Sequence, residues 1–143
     1  MRKSELMTLW NVESWAVEPY GVYFVSRRLG TNRSEIEAQA FQKLNISCTN
    51  YTEAEVLSLS MWEQLYVQLD KLDQLAQKLI QQEIPQEESV VLTLTDIMLD
   101  KSGCYDAFAL GYDIGESPVG HLYVLVPFDE NFTAQQDVIY ETL

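Results

Sequence analysis

Apolar positions recur at helical spacing over much of the chain before residue 85 and fall into short, strand-length runs after it, the run over 105–111 being apolar on both faces. Trp62, Leu65, Tyr66, Leu69, Leu72, Ala76, Leu79 and Ile80 form one stripe, with Gln64, Gln68, Asp70, Lys71, Gln74, Lys78 and Gln81 mostly off it. Residues three and four apart share a helix face, so the spacing predicts a long amphipathic helix over about 60–83, stopped by Pro85. Upstream, Ser34 with Glu37, Thr52 with Glu55 and Ser60 with Glu63 have capping-box spacing, in which each side chain satisfies an amide at the helix start. The first box, followed by Ile36, Ala40, Phe41 and Leu44, predicts a helix over 34–44 and a loop over 45–50. The second predicts a short helix near 52–58, and the third a restart at Ser60.

Other stretches are less decisive. Leu6, Met7, Leu9, Trp10, Val12, Trp15 and Val17 fit a short helix or an irregular packed segment equally well, and Pro19 interrupts them. Residues 20–25 are β-branched and aromatic, which favours a strand, although a buried helix has the same pattern over so short a run. Past Pro85, residues 89–94 read as a strand that can run on to Leu99, before a turn at 100–103. A second strand follows over 105–111, a loop over 113–120, and a third strand over 121–126 ended by Pro127. Residues 133–142 read as a terminal helix or as a fourth strand around 138–140. Successive strands with short connections pair as an antiparallel meander. The expectation is an α+β fold, with N-terminal helices packed on a C-terminal meander of three to four strands. At 143 residues it forms one domain, 1–143, with a helical half of about 1–84 and an acidic, β-rich half of about 85–143.

Charge sharpens this division. Twenty-two acids face nine lysines and arginines, a net of −13. Residues 1–82 hold ten acids and eight bases, a net of −2, whereas residues 83–143 hold twelve acids and only Lys101, a net of −11. Such a balance weighs against nucleic acid and against anionic membranes, both of which need a basic face. The acids are interleaved with apolar residues, unlike a disordered acidic tail. A folded surface of this sign aids solubility, and it also attracts cationic partners. No run of about 18 apolar residues suggests a transmembrane helix. The N-terminus lacks a secretory pattern, so the expected location is cytoplasmic, with two reduced cysteines and three sequons that go unused.

Catalytic signals are thin. His121 is the only histidine, and it has no nucleophile motif beside it. One histidine and the separated Cys48 and Cys104 do not make a zinc site, and no phosphate-binding loop, dinucleotide motif or complete calcium loop is present. The expectation is therefore no enzyme, no cofactor and no metal. The alternatives are a small-ligand binder or hydrolase with a carboxylate-lined pocket, and an adaptor domain using exposed aromatics such as Trp10 or Trp15. The most distinctive local feature is the segment 112–120, which displays Asp113 and Glu116 beside Tyr112; Asp129 and Glu130 follow the third strand. In a meander these lie at opposite ends of the sheet, and Tyr112, Asp113, Glu116, Asp129 and Glu130 are the expected contacts for a basic protein.

Tyr105-Asp-Ala-Phe-Ala-Leu-Gly-Tyr-Asp-Ile-Gly115 and Leu122-Tyr-Val-Leu-Val-Pro-Phe-Asp-Glu130 resemble the closing strands of small bacterial domains placed beside toxins. In kind, the chain resembles the immunity proteins of polymorphic-toxin and contact-dependent inhibition systems. The resemblance implies a non-catalytic protein that binds a cognate toxin, often a basic nuclease, and masks its active site. It carries no residue role across.

Overall fold

A computed structural model describes residues 1–29, 41–83, 92–103, 105–117, 120–135 and 138–142. Helix α1 (Lys3–Leu9) leads into strands β1 (Val12–Glu18), β2 (Gly21–Leu29) and β3 (Phe41–Thr49). Helices α2 (Glu53–Ser58) and α3 (Trp62–Glu83) follow, then strands β4 (Leu94–Asp100), β5 (Phe108–Ser117), β6 (Gly120–Phe128) and β7 (Ile139–Thr142). All seven strands form one sheet in chain order. Neighbours are antiparallel except β3 and β4, which run parallel because α2 and α3 carry the chain back between them.

This corrects the expected layout. The sheet has seven strands rather than three to four, and three of them come from the half read as helical. The helix expected over 34–44 is contradicted at its C-terminal end, where residues 41–44 belong to β3; residues 34–40 lie outside the described residues. The expected loop over 45–50 is mostly β3 as well. Along β3 the buried residues are Leu44, Ile46 and Cys48, a strict period of two. Segment 12–18, also unassigned as a strand, becomes β1.

The later strands shift too. Residues 113–117 continue β5 instead of opening a loop. Strand β6 runs through Pro127, which was expected to end it. The Pro127 carbonyl accepts from the Gln135 amide while that of Phe128 accepts from Ala107, so the missing proline N–H faces the segment leading to β7 rather than β5. At the C-terminus the strand alternative is the one formed.

The helical readings around α2 and α3 hold. Thr52 caps α2, its hydroxyl accepting from the Glu55 amide while the Glu55 carboxylate accepts from the Thr52 amide. Helix α3 restarts at Trp62, with the Leu65 amide donating to the Met61 carbonyl, so Met61 and not Ser60 stands at its first turn. Its buried residues Trp62, Leu65, Leu69, Leu72, Ala76 and Ile80 join one core with Leu6, Trp10, Val56 and the inward residues of the sheet. Edge-on aromatic contacts, Trp10 on Trp62 and on Tyr66 and Phe24 on Trp62, tie α1 and β2 to α3. No helix among the described residues is long and apolar enough to cross a membrane.

The three helices contribute their buried side chains to the same core, which occupies one face of the sheet. Ala109 and Leu125 are also buried but stand outside that core, on the opposite face. No helix among the described residues supplies side chains there, and this second face carries the acidic residues discussed next.

Candidate functional site

Register determines which residues share the second face. Val25, Asn45, Asp96, Gly111, Leu125 and Ile139 are successive partners across six strands. The adjacent row places Asp113 opposite Tyr123 and Tyr123 opposite Glu141. Successive side chains in a strand point to opposite faces, so Asp96, Asp113 and Glu141 come from three strands to one side. Together with Asn45, Thr95, Met98, Tyr123 and Leu125 they line a cavity of about 440 Å³.

Gly111 makes room for it. A Cβ there would sit 3.0 Å from the Asp96 Cβ and 3.1 Å from Leu125 Cδ2, too close for an ordinary contact. The glycine therefore leaves a depression between Asp96 and Leu125. A register shift in β5 between Asp113 and Gly115 sets the rim. Gly115 has φ +104°, a conformation costly for other residues, and its amide donates to Asp113 Oδ1 at 2.8 Å. His121 Nε2 lies 2.6 Å from the same oxygen, and the His121 and Tyr123 rings are 4.9 Å apart.

Burial raises the pKa of Asp96 above the ordinary aspartate value, and the neighbouring Asp113 charge raises it further, against the lowering effect of the Thr95 hydroxyl that donates to Asp96 Oδ2 at 2.7 Å. The cavity thus disfavours its own negative charge. A cation placed there would offset the repulsion between Asp96 and Asp113 and favour the charged form of both. Among the described residues, no group of three His, Cys, Asp or Glu is arranged to hold a metal ion.

The residues expected from sequence are distributed unevenly about this cavity. Asp113 is on its wall. Tyr112, one residue away, points to the other face, is fully buried, and donates its hydroxyl to Asp73 Oδ1 at 2.5 Å. It anchors α3 to β5 and is not displayed on the surface. The Glu116 backbone pairs with His121, and its side chain lies outside the described residues. Asp129 and Glu130 lie beyond the far end of β6. Asp129 Oδ1 accepts from the Asn131 and Thr133 amides, both at 2.9 Å, and so shapes its own turn. Glu130 is exposed and lines a different cavity.

Sequence reasoning missed Asp96, Tyr123, Glu141 and Gly111. One signal was present: Asp96, beside Thr95, interrupts a mostly apolar strand, Leu94-Thr-Asp-Ile-Met-Leu99, where an acid needs a reason. The pairing that brings it beside Asp113 joins the consecutive strands β4 and β5, but its register, shifted between Leu94 and Asp96, leaves no trace in the residue spacing. No family model, no curated protein and no solved structure matches this chain.

Proposed function

We propose that the protein is a non-catalytic binding module that neutralises a basic protein partner, in the manner of the toxin-immunity proteins it resembles. The partner's cationic side chains dock on the acidic sheet face rather than at the two ends of the sheet. The observation that carries this reading is the convergence of Asp96, Asp113 and Glu141 on one cavity in which Asp96 is raised by burial and by Asp113. The −11 balance of residues 83–143 supplies the longer-range attraction. Asp113 remains a contact in this reading, and Tyr112 becomes a support behind it.

A fluorescein-labelled hepta-arginine peptide tests the binding mode by anisotropy. Binding should be measurable at low ionic strength and should weaken at least tenfold by roughly 0.3 M salt, because exposed charges are screened. Combining Asp96→Asn, Asp113→Asn and Glu141→Gln should weaken it about as much at low salt, whereas combining Asp129→Asn with Glu130→Gln should not. Equal loss in the two variants would leave only a diffuse charge effect and overturn the assignment to this face. Co-expression with the polypeptide encoded beside it tests the inhibitory role. Growth restored by the wild type and not by the first variant supports immunity; a harmless neighbour removes it.

A further inference from the structure

A second cavity lies where β3 and β4 end, with Leu99 of the helix-side core in its lining. It measures about 450 Å³ and is lined by Tyr51, Leu59, Ser60, Met61, Leu99, Asp106, Ala107, Glu130 and Asn131. Its position follows from the topology. Strands β3 and β4 form the parallel pair of the sheet, and both end here: Tyr51 comes just after β3, and Leu99 is the penultimate residue of β4. The break between α2 and α3, residues 59–61, closes one side. The segments entering β5 and leaving β6 close the other. Crevices beyond the carboxyl ends of parallel strands are where open sheets with helical crossovers bind ligands, because the connections diverge there and leave space.

The lining has two parts. Leu59, Met61, Leu99 and Ala107 give it an apolar wall, and the Tyr51 ring extends that wall. Its polar groups are the Tyr51 and Ser60 hydroxyls, the Asn131 carboxamide and the carboxylates of Asp106 and Glu130. Asp106 accepts a hydrogen bond from Gln135 Nε2 at 3.3 Å. Among the described residues, the side chains of Tyr51, Ser60, Glu130 and Asn131 make no hydrogen bond within the chain. Four polar groups around one cleft are thus left for water or a ligand. The two charged groups on the wall are both acids, and no described lysine or arginine lines it. Lys101, the nearest base in the following turn, is paired with Glu55. The volume falls within the range of small-molecule sites.

We infer that this cleft binds a small organic cation, a primary ammonium on a compact apolar body. The apolar body lies against Met61, Leu99 and Ala107. The ammonium donates to Glu130, with Asn131 and the two hydroxyls as further partners. The site is separate from the acidic sheet face and does not depend on the reading of that face.

The experiment is an amide chemical-shift titration of the whole chain with benzylammonium, benzyl alcohol and benzoate, which share a body and differ in charge. Benzylammonium should shift the resonances of Met61, Ala107 and Asn131 in a saturable way, benzyl alcohol should do so at least fivefold more weakly, and benzoate should not. Glu130→Gln, an exposed substitution, should weaken the ammonium at least fivefold, leave the alcohol unchanged and leave the melting temperature unchanged. Three results would overturn the assignment: no saturable shift with benzylammonium, equal binding of benzoate, or shifts confined to Tyr123 and Glu141, which would move the ammonium to the sheet face.

Discussion

Replacing Tyr112 by phenylalanine removes one oxygen from the interior and nothing from the surface. That hydroxyl donates to Asp73 Oδ1 at 2.5 Å and lies 3.3 Å from the Asp73 carbonyl oxygen. Tyr112 has no exposed surface and Asp73 is 8% exposed, so water does not readily take the place of the lost donor. Asp73 keeps one partner, Gln77 Nε2 at 3.0 Å, so the carboxyl group is depleted but not abandoned. Hydrogen bonds to acidic groups contribute about 1.5–3 kcal/mol, and the surviving Gln77 contact sets the expectation near the lower half, about 2 kcal/mol. For a chain of this length that corresponds to a fall in melting temperature of roughly 6 °C. Urea unfolding followed by tryptophan fluorescence measures it, with an unchanged m-value showing that the same surface is exposed on unfolding. Affinity for the arginine peptide should stay within twofold of wild type, because Tyr112 faces away from the acidic cavity. A loss of stability below about 0.5 kcal/mol would refute the buried bond, since that is the range of an ordinary surface change. A tenfold loss of peptide affinity at full stability would refute the placement of Tyr112 behind the site.

Three further outcomes follow from the same geometry. Gly111→Ala pushes a methyl group against Asp96 and Leu125, and should cost about 1–3 kcal/mol of stability by overpacking while weakening the arginine peptide, both read from one sample by calorimetry and anisotropy. Asp96→Asn should raise the melting temperature at pH 7. The folded-state value of Asp96 is raised, so its cost is absent below the unfolded value near 3.8 and present once pH exceeds the folded value; the gain must shrink as pH falls toward 4, and a gain that grew instead would reverse the assigned cause. Cys48 is fully buried with its thiol pushed up to about 12, so mass-mapped iodoacetamide should label it only after unfolding.

What could be read in the sequence depended on how local the cause was. Helix α3 was legible because its stripe is written in consecutive turns, and the Thr52–Glu55 cap because both partners lie within four residues. Strand β1 was not legible because its register shifts between Val12 and Ser14, so the inward residues Val12 and Trp15 stand three apart and mimic a helix. Strand β3 carries its alternation openly in Leu44-Asn-Ile-Ser-Cys48, but the capping box at Ser34 drew the helix across its first residues. Asp113 was found because its neighbours include turn residues. Its companions Asp96 and Glu141 reach it only through strand pairing, and the buried role of Tyr112 follows from a register that no single strand reveals.

The parallel contact between β3 and β4 has a consequence for how the chain assembles. The antiparallel pairings join strands that follow one another, but Asn45 meets Asp96 only after the whole helical crossover has been threaded. Closing a loop of about fifty residues costs roughly 3–4 kcal/mol in chain entropy before any contact repays it. The near-neutral meander β1–β3 and the acidic meander β4–β7 can each begin from neighbouring strands, and zipping them together is the non-local event expected to limit the folding rate. Mutations at that junction, at Asn45, Ile46, Ile97 or Met98, should therefore slow folding, whereas those in the β6–β7 pairing should mainly hasten unfolding.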